Sequence, residues 1–160
     1  MCGIAGELRL EPGAPASAER VHAMCDVMVH RGPDDYGAFV QAEVGLGMRR
    51  LSIVDLAGGH QPLGNEDGSV QVVCNGEIYN APALRAELAA RGHTLRSRSD
   101  VEVIAHLYEE LGPAAISRLE GMFAFALWDA RARRLVLGRD RIGIKPLYVC
   151  LLYTSDAADE

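Results

Sequence analysis

One nearly continuous apolar segment, residues 122–128, constrains the fold of this 160-residue chain more than any other feature. Its sequence, Met-Phe-Ala-Phe-Ala-Leu-Trp, has almost no polar side chain, which indicates a strand buried on both faces within a layered fold. Other strands are predicted in runs towards both ends of the chain, with helices between them. This order favours a two-sheet, α+β layered domain over alternating βαβ units.

Hydrophobic periodicity predicts the remaining elements. Helices are predicted at about residues 18–29, 81–90, 100–111 and 114–119. Strands are predicted at residues 4–10, 36–41, 44–48, 51–54, 61–65, 70–74 and 135–139, with one more within residues 143–149. Local signals predict where several elements begin or end. Ser17 caps the first helix, Asn80 caps the second and Gly92 ends it, and Ser99 to Glu102 has the spacing of a capping box for the third. Asp67-Gly68 is predicted to form a hairpin turn. The segment 75–80 is predicted to break its strand and to lead into the second helix.

The composition is that of an ordinary globular domain, with 49% hydrophobic and 24% charged residues. A net charge of −6 and the absence of a Lys/Arg cluster argue against nucleic-acid binding. No apolar run of about 18 residues predicts a membrane span, and no signal peptide precedes the domain, so we expect a cytoplasmic protein. Because no His or Cys spacing matches a zinc site, no metal site is predicted, and Cys25 and Cys74 are expected to be free, buried thiols.

The N-terminal sequence Met-Cys-Gly-Ile-Ala-Gly contains the main candidate for a catalytic residue. Removal of Met1 would leave Cys2 with a thiol and a free α-amine on the same carbon. An N-terminal amine can act as the base for its own nucleophile, and a neighbouring ammonium favours the thiolate. The alternative is an ordinary buried cysteine at the start of a strand.

Three further candidates suit a substrate with an amide, a carboxylate and an ammonium group. Asn75-Gly76 can donate to a developing oxyanion, although Asn-Gly is equally typical of a type I′ turn. Arg50 can hold a carboxylate, and Asp100 can accept from an ammonium. The alternatives are a surface arginine at a strand end and a carboxylate that stabilises a helix N-terminus.

Seven segments occur in an order that resembles a known family. They are Met-Cys-Gly-Ile-Ala-Gly (1–6), His-Arg-Gly-Pro-Asp (30–34), Arg-Leu-Ser-Ile-Val-Asp (50–55), Asn-Gly-Glu-Ile-Tyr-Asn (75–80), Ser-Asp (99–100), Gly-Met-Phe-Ala-Phe-Ala (121–126) and Gly-Arg-Asp-Arg-Ile-Gly-Ile-Lys-Pro-Leu-Tyr (138–148). The set resembles the glutaminase domain of glutamine-hydrolysing asparagine synthetases, which are class II amidotransferases with the N-terminal-nucleophile hydrolase fold. The resemblance covers residues 1–149 and implies a four-layer αββα sandwich of two antiparallel sheets.

The resemblance also implies a reaction. Cys2 would attack the side-chain amide of L-glutamine, form a γ-glutamyl thioester and release ammonia, and water would then release glutamate. Asn75 and Gly76 match the family's oxyanion hole, and Arg31 is expected to support the site around the N-terminus. The residues expected to bind glutamine are Arg50, Leu51, Ser52, Ile53, Val54, Asn75, Gly76, Glu77 and Asp100, with Arg50 at the carboxylate and Asp100 at the amine.

The chain departs from the family pattern in three places. Met48 stands where many relatives carry a histidine, and residues 150–160 are expected to be an unrelated tail. No phosphate-binding loop follows, so ATP and Mg²⁺ are expected only in a synthetase domain that is absent from this chain, and no cofactor is expected for the domain itself. Two alternatives remain open: a catalytically silent glutamine-binding or interaction fragment, and an amidotransferase for a different carboxylate acceptor. The oligomeric state is not predicted.

Overall fold

A computed structural model describes residues 2–52 and 59–152 of the chain. Seven strands lie in these residues: β1 (Gly3–Leu8), β2 (Asp35–Gln41), β3 (Val44–Arg50), β4 (Leu63–Gly64), β5 (Val70–Ile78), β6 (Gly121–Asp129) and β7 (Arg134–Arg139). Three α-helices accompany them: α1 (Ala18–Asp26), α2 (Ala81–Ala90) and α3 (Glu102–Leu111). A 3₁₀ helix, Gly112–Arg118, follows α3 directly.

The strands form two antiparallel sheets. The first sheet has the order β1-β3-β2, and the second has the order β4-β5-β6-β7. In the first sheet Gly3 pairs with Arg49, so β1 begins at the end of the sheet where β3 finishes. In the second sheet β5 and β6 pair without interruption from Val70–Asp129 to Ile78–Gly121. The expected α+β sandwich of two antiparallel sheets is therefore confirmed.

Two apolar clusters hold the layers together. One lies between the sheets and contains alternate residues of β3, β5 and β6, with Leu46, Met48, Val73 and Trp128 all buried. The other lies between the second sheet and the helices α2 and α3, and the apolar segment of β6 contributes its opposite face to it. Burial of β6 on both faces agrees with the sequence prediction.

Helix α1 packs closely on the outer face of the first sheet because two glycines, Gly45 and Gly47, lie on that face of β3. A Cβ added at Gly45 would lie 2.5 Å from Val21 Cγ2, and one added at Gly47 would lie 2.5 Å from Cys25 Sγ. Val21 and Cys25 are the buried residues of α1. Ser17 caps this helix by accepting from the Arg20 backbone N–H, as predicted.

The structure corrects several predicted elements. Helix α1 ends at Asp26 rather than near residue 29, and β5 runs through Asn75-Gly76 to Ile78 instead of breaking there. Residues 143–149 contain no strand, and Leu51 and Ser52 lie beyond the end of β3. The Asn80 side chain makes no cap bond to α2; it accepts from Glu120 N and donates to the Arg118 carbonyl instead.

Within residues 2–52 and 59–152, the helices are all too short or too polar to cross a lipid bilayer.

Candidate active site

Cys2 lies immediately before β1 and is held by residues from two other segments. Its Sγ accepts a hydrogen bond from the Leu51 backbone N–H over 3.4 Å and lies 3.7 Å from the Leu51 carbonyl oxygen. Its own carbonyl oxygen accepts from Nε of Arg31 over 3.2 Å. The half-buried Cys2 side chain also packs against the cluster between the sheets. The sulfur is therefore fixed at the end of the sandwich rather than on a loose terminus.

The loop before β2 is hydrogen-bonded to the end of β3 and to the residues that follow it. Asp34 N donates to the Arg50 carbonyl over 3.1 Å, and its carboxylate accepts from Ser52 N over 2.9 Å. Gly32 passes so close to β3 that an added Cβ would lie 2.4 Å from the Arg49 carbonyl carbon. The sequence singled out this loop only through Arg31, whereas the structure gives Asp34 a direct part in ordering Leu51 and Ser52.

Arg50 is the last residue of β3 and is buried. Its guanidinium lies 3.9 Å from the Asp35 carboxylate, which also interacts with Nδ1 of His60 over 2.9 Å. A guanidinium removed from bulk water binds a carboxylate more strongly than one at the surface does. The alternative of an ordinary surface arginine at a strand end is therefore wrong.

Strand alternation directs three predicted site residues into the space between the sheets. On β3, Arg50 is in phase with Met48 and Leu46, which belong to the cluster between the sheets. On β5, Asn75 is in phase with Val73, which belongs to the same cluster, and is itself buried. Cys2 packs against this cluster as well. Arg50, Asn75 and Cys2 therefore share the inner space of the sandwich.

Gly76 lies between two positions of β5 whose N–H groups bind side chains. Cys74 N donates to Oε1 of Gln61 over 2.7 Å, and Ile78 N donates to Oδ2 of Asp100 over 2.7 Å. Because N–H groups two residues apart in a strand point to the same side, the Gly76 N–H points to the edge of β5 that faces away from β6. Strand β4 pairs only with Gln71 and Val72, so it ends before this position.

Gly76 is also required by the packing of its backbone. A Cβ added there would lie 2.1 Å from the Met122 carbonyl oxygen and 2.6 Å from the Phe123 Cα. The turn predicted as the alternative for Asn75-Gly76 is wrong, since both residues pair within the β5–β6 ladder.

Asp100 is positioned by a loop that Glu102 organises. The buried Glu102 carboxylate accepts from Arg96 N over 2.6 Å and from Ser97 N over 2.9 Å. This corrects the predicted capping box, in which Glu102 would have bonded to Ser99. The Ser99 hydroxyl accepts from Val101 N instead, over 3.3 Å.

Cys74 lies close enough to Cys2 and Asp100 for their charges to affect the pKa of its thiol. Burial raises the pKa of the Cys74 thiol, and the charges of Asp100 and Cys2 raise it further, while Lys145 lowers it. Cys2 and Asp100 therefore both lie close to this part of β5. Cys25 and Cys74 are buried free thiols, as expected from the sequence.

The structure therefore brings together most of the predicted residues. Arg31 and Leu51 contact Cys2, and Asp100 contacts β5 beside Asn75-Gly76. Glu77 is exposed, and Ser52 is half-buried. Ile53 and Val54 lie outside the described residues. Their roles in glutamine binding remain predictions, as do those of the other site residues. The roles of Gln61 and Asp34 were missed because each acts through a contact distant in sequence, and Glu102 was assigned to a capping box instead of to the loop at residues 96–97.

Similarity to known proteins agrees with this geometry. Residues 1–158 match the family described as the glutamine amidotransferase domain, and the chain belongs to that family. The match extends past residue 149, where the domain was predicted to end; the boundary and the unrelated tail remain predictions.

The relatives are more specific. The chain is 47% identical over 152 residues to glutamine-hydrolysing asparagine synthetase 2 of Bacillus subtilis (strain 168), covering 92% of this chain and 20% of that protein. It is 46% identical over 149 residues to glutamine-hydrolysing asparagine synthetase 3 of Arabidopsis thaliana, covering 93% and 25%. It therefore spans about a fifth to a quarter of the length of these relatives.

A solved structure described as the allosteric regulatory enzyme of purine biosynthesis is similar over 67% of this chain and 25% of that one. The TM-score is 0.54 and the sequence identity is 27%. The similarity supports the two-sheet fold described above.

Proposed function

We propose that this domain hydrolyses L-glutamine to L-glutamate and ammonia through a γ-glutamyl thioester on Cys2. The observation that carries the proposal is the placement of the Cys2 sulfur. It is held by the Leu51 N–H at the end of the sandwich, beside the inner space that Arg50 and Asn75 face. Membership of the glutamine amidotransferase family supports glutamine as the amide donor.

The first half of the reaction transfers the acyl group. Removal of Met1 frees the α-amine of Cys2, and the thiolate attacks the amide carbon of the glutamine side chain. A C–S bond forms, and the carbonyl π electrons move onto oxygen. As this intermediate collapses, the C–N bond breaks and the α-ammonium supplies the proton that the departing ammonia needs. Water then attacks the thioester carbon and gives its proton to the α-amine, the C–S bond breaks, and glutamate leaves with the Cys2 thiolate and α-ammonium restored.

Two groups of β5 stabilise the oxyanion in this proposal. The Gly76 N–H points to the edge of the strand that faces away from β6, and the neighbouring Asn75 provides a side-chain amide. Donors fixed by a strand need no reorganisation as charge develops, and each is worth about 3–4 kcal/mol in comparable sites. Gln61 and Asp100 occupy the N–H groups on either side and so hold this part of β5 in place.

The remaining candidates bind the amino-acid end of glutamine. Arg50 pairs with the α-carboxylate, and Asp100 accepts from the α-ammonium. Leu51, Ser52, Ile53, Val54 and Glu77 line the pocket, and Arg31 keeps the Cys2 backbone in place. This set selects a free amino acid, because both charged groups of the substrate meet an opposite charge.

The relatives' names support a use for the ammonia. We infer that it passes to an ATP- and Mg²⁺-dependent synthetase domain in the parent protein, where aspartate is the expected acceptor. The glutaminase domain itself uses no cofactor in this proposal. A cytoplasmic location is part of the same proposal.

The test is release of ammonia and glutamate from glutamine by the purified chain, with intact mass used to verify loss of Met1. Cys2→Ala is expected to lower the rate by at least about 10³-fold. Cys150→Ala is the matched control, because Cys150 is an exposed thiol distant from the inter-sheet cluster, and it is expected to retain the full rate.

Unchanged turnover in Cys2→Ala would overturn the proposed mechanism. A folded, correctly processed chain that neither turns over glutamine nor becomes labelled by an electrophilic glutamine analogue would favour the silent binding fragment instead.

A further inference from the structure

A second cluster of chemically active side chains lies at the opposite end of β5 from Gly76. Glu66 comes from the turn between β4 and β5, His93 follows α2, and His106 and Glu109 lie on α3. One nitrogen or oxygen atom of each lies within 4.8 Å of the corresponding atom of every other. At about 3.3 Å per residue, the six positions from Val70 to Gly76 span about 20 Å of strand, so this cluster is separate from the candidate active site.

The inward-facing atoms of the cluster are unusually close. Nδ1 of His93 and Nδ1 of His106 are 3.3 Å apart. The Glu66 carboxylate approaches both rings, with Oε1 at 3.2 Å from His93 Nδ1 and Oε2 at 3.3 Å from His106 Nδ1. Two ring nitrogens and a carboxylate therefore converge on one point.

The outward-facing Nε2 atoms of both histidines lie near carboxylates, which leaves the two Nδ1 atoms to face a bound cation. Nε2 of His93 lies 3.1 Å from Oε1 of Glu110. Nε2 of His106 lies 3.8 Å from Oε1 of Glu102 and has no hydrogen-bond partner in the described part of the chain. A neutral imidazole has one N–H, and both rings have a carboxylate on their Nε2 side. With the protons on Nε2, both Nδ1 lone pairs point at each other and at Glu66.

We propose that this cluster is a Zn²⁺ site with His93 Nδ1, His106 Nδ1, Glu66 and Glu109 as its ligands. In a tetrahedral site with Zn–N and Zn–O bonds of about 2.0–2.1 Å, ligand atoms lie about 3.3 Å apart. The two Nδ1 atoms already have this spacing, and each has one Glu66 oxygen at a similar distance, Oε1 for His93 and Oε2 for His106. Glu109 is the more distant fourth ligand, and its carboxylate also accepts from Asn65 and lies 3.4 Å from Arg131.

The surroundings match those of histidine zinc sites. Metal-binding histidines usually donate their second ring N–H to a carboxylate, and Glu110 accepts in that position for His93, while Glu102 is the nearest carboxylate to His106 Nε2 at 3.8 Å. Two ligand carboxylates balance the charge of a divalent cation, so the bound site is electrically neutral.

Bound zinc would join three separate segments of the chain. It would tie the β4–β5 turn and the loop after α2 to α3, and α3 begins with Glu102, which organises the loop that bears Asp100. The role of the metal is therefore structural, and no step of glutamine hydrolysis depends on it. The inference departs from the sequence prediction of no metal site, because the ligands come from segments whose spacing matches no zinc motif.

The experiment uses the 160-residue chain after chelator treatment and dialysis. It is titrated with Zn²⁺ and, for spectroscopy, with Co²⁺, and metal content and Tm are measured. We expect one equivalent of metal, a rise in Tm with Zn²⁺, and a tetrahedral Co²⁺ spectrum without thiolate charge-transfer bands. Those bands would identify binding at a cysteine instead.

Variants assign the ligands. His93→Gln is expected to abolish the tetrahedral Co²⁺ spectrum, and Glu110→Gln is expected to weaken binding about tenfold through the outer hydrogen bond. His22→Gln is the control, because His22 is exposed and its contacts, an ion pair with Asp26 and an edge-on ring contact with Tyr36, involve none of the proposed ligands. Glu109→Gln, at a half-exposed side chain, provides a second ligand variant if His93→Gln fails to fold.

Two results would overturn the proposal. One is a wild-type Tm that does not change with Zn²⁺, which would mean that a shared proton fills the cluster. The other is equal Co²⁺ binding by the wild type, His93→Gln and Glu109→Gln.

Discussion

The backbone N–H of Leu51 donates to the sulfur of Cys2 across 3.4 Å, and the two residues are 49 positions apart in the chain. A hydrogen bond to a thiolate is stronger than one to a thiol, so this contact stabilises the reactive form of the nucleophile. The residue just after β3 thereby stabilises the thiolate of the residue just before β1.

Replacing Leu51 by proline tests this contact, because proline removes the N–H and alanine does not. Leu51→Pro is expected to slow alkylation of Cys2 by iodoacetamide by about tenfold or more, since hydrogen bonds to charged groups contribute about 1.5–3 kcal/mol. Leu51→Ala is expected to leave the rate within about twofold. The rate is read at the Cys2 peptide by mass spectrometry, and equal rates in the two variants would contradict the role of the N–H.

Arg31 supports the same residue through its carbonyl group. Arg31→Lys removes the Nε donor that bonds to Cys2 O and is expected to lower kcat for glutamine hydrolysis about tenfold. Because the bond positions the nucleophile, KM is expected to change less than kcat. Arg9→Lys is the control, since Arg9 pairs with the exposed Glu11 and not with Cys2. A change confined to KM would instead place Arg31 at the substrate.

Gly76→Ala is expected to destabilise the protein and to abolish turnover. The added Cβ would lie 2.1 Å from the Met122 carbonyl oxygen, so β6 must move away from β5. The expected loss is about 3 kcal/mol of unfolding free energy, measured by denaturant titration. Gly13→Ala is the control, because Gly13 also has a positive φ but an added Cβ meets nothing within 4 Å. Equal losses in the two variants would mean that backbone conformation, not the collision, sets the cost.

The lowered pKa of Asp140 predicts that the free energy of unfolding depends on pH. Burial raises the pKa of its carboxyl, but hydrogen bonds from Lys145, Ile144 and Phe123 N–H groups outweigh burial, so the folded-state pKa lies below its ordinary value. A depressed pKa stabilises the fold above the unfolded pKa of about 3.9, and this stability is lost as pH falls through the folded value.

Asp140→Asn is therefore expected to cost on the order of 2 kcal/mol at pH 7 and progressively less below about pH 4. Urea titrations of both proteins at several pH values measure the difference. Glu11→Gln, at an exposed side chain, is the control. A constant difference between pH 7 and pH 3 would contradict this account.

The sequence predicted best those elements whose signals are local. Helix α2 has the predicted limits because Gly92 ends it, and the continuous apolar run of β6 correctly predicted a strand buried on both faces. The extension of β5 through Asn75-Gly76 was not predicted, because pairing with β6 overrides the turn preference of that dipeptide. The strand expected within 143–149 lacks a pairing partner, and Asp140 organises that segment as a loop instead.

The candidate site divides in the same way. Cys2, Asn75, Gly76 and Asp100 carry recognisable side chains or motifs, so sequence alone could single them out. Asp34 and Gln61 could not be found in this way, because each acts by bonding to backbone groups that only the fold brings near. Contacts between distant segments have no periodic signature.

The antiparallel register of β1 on β3 limits which changes of length the N-terminal segment can accept. Gly3 pairs with Arg49, and residues 2–6 cannot shift along β3, since Cys2 and Ile4 must face inwards while a Cβ added at Gly3 would lie 2.9 Å from Met28 Sδ. Inserting one residue between Cys2 and Gly3 would displace the sulfur by about 3.3 Å and turn it to the opposite face. The chain would still form its sandwich, but the reactive atom would be out of place. A functional variant of this domain must therefore keep the number of residues between Cys2 and the first pair of β1 with β3.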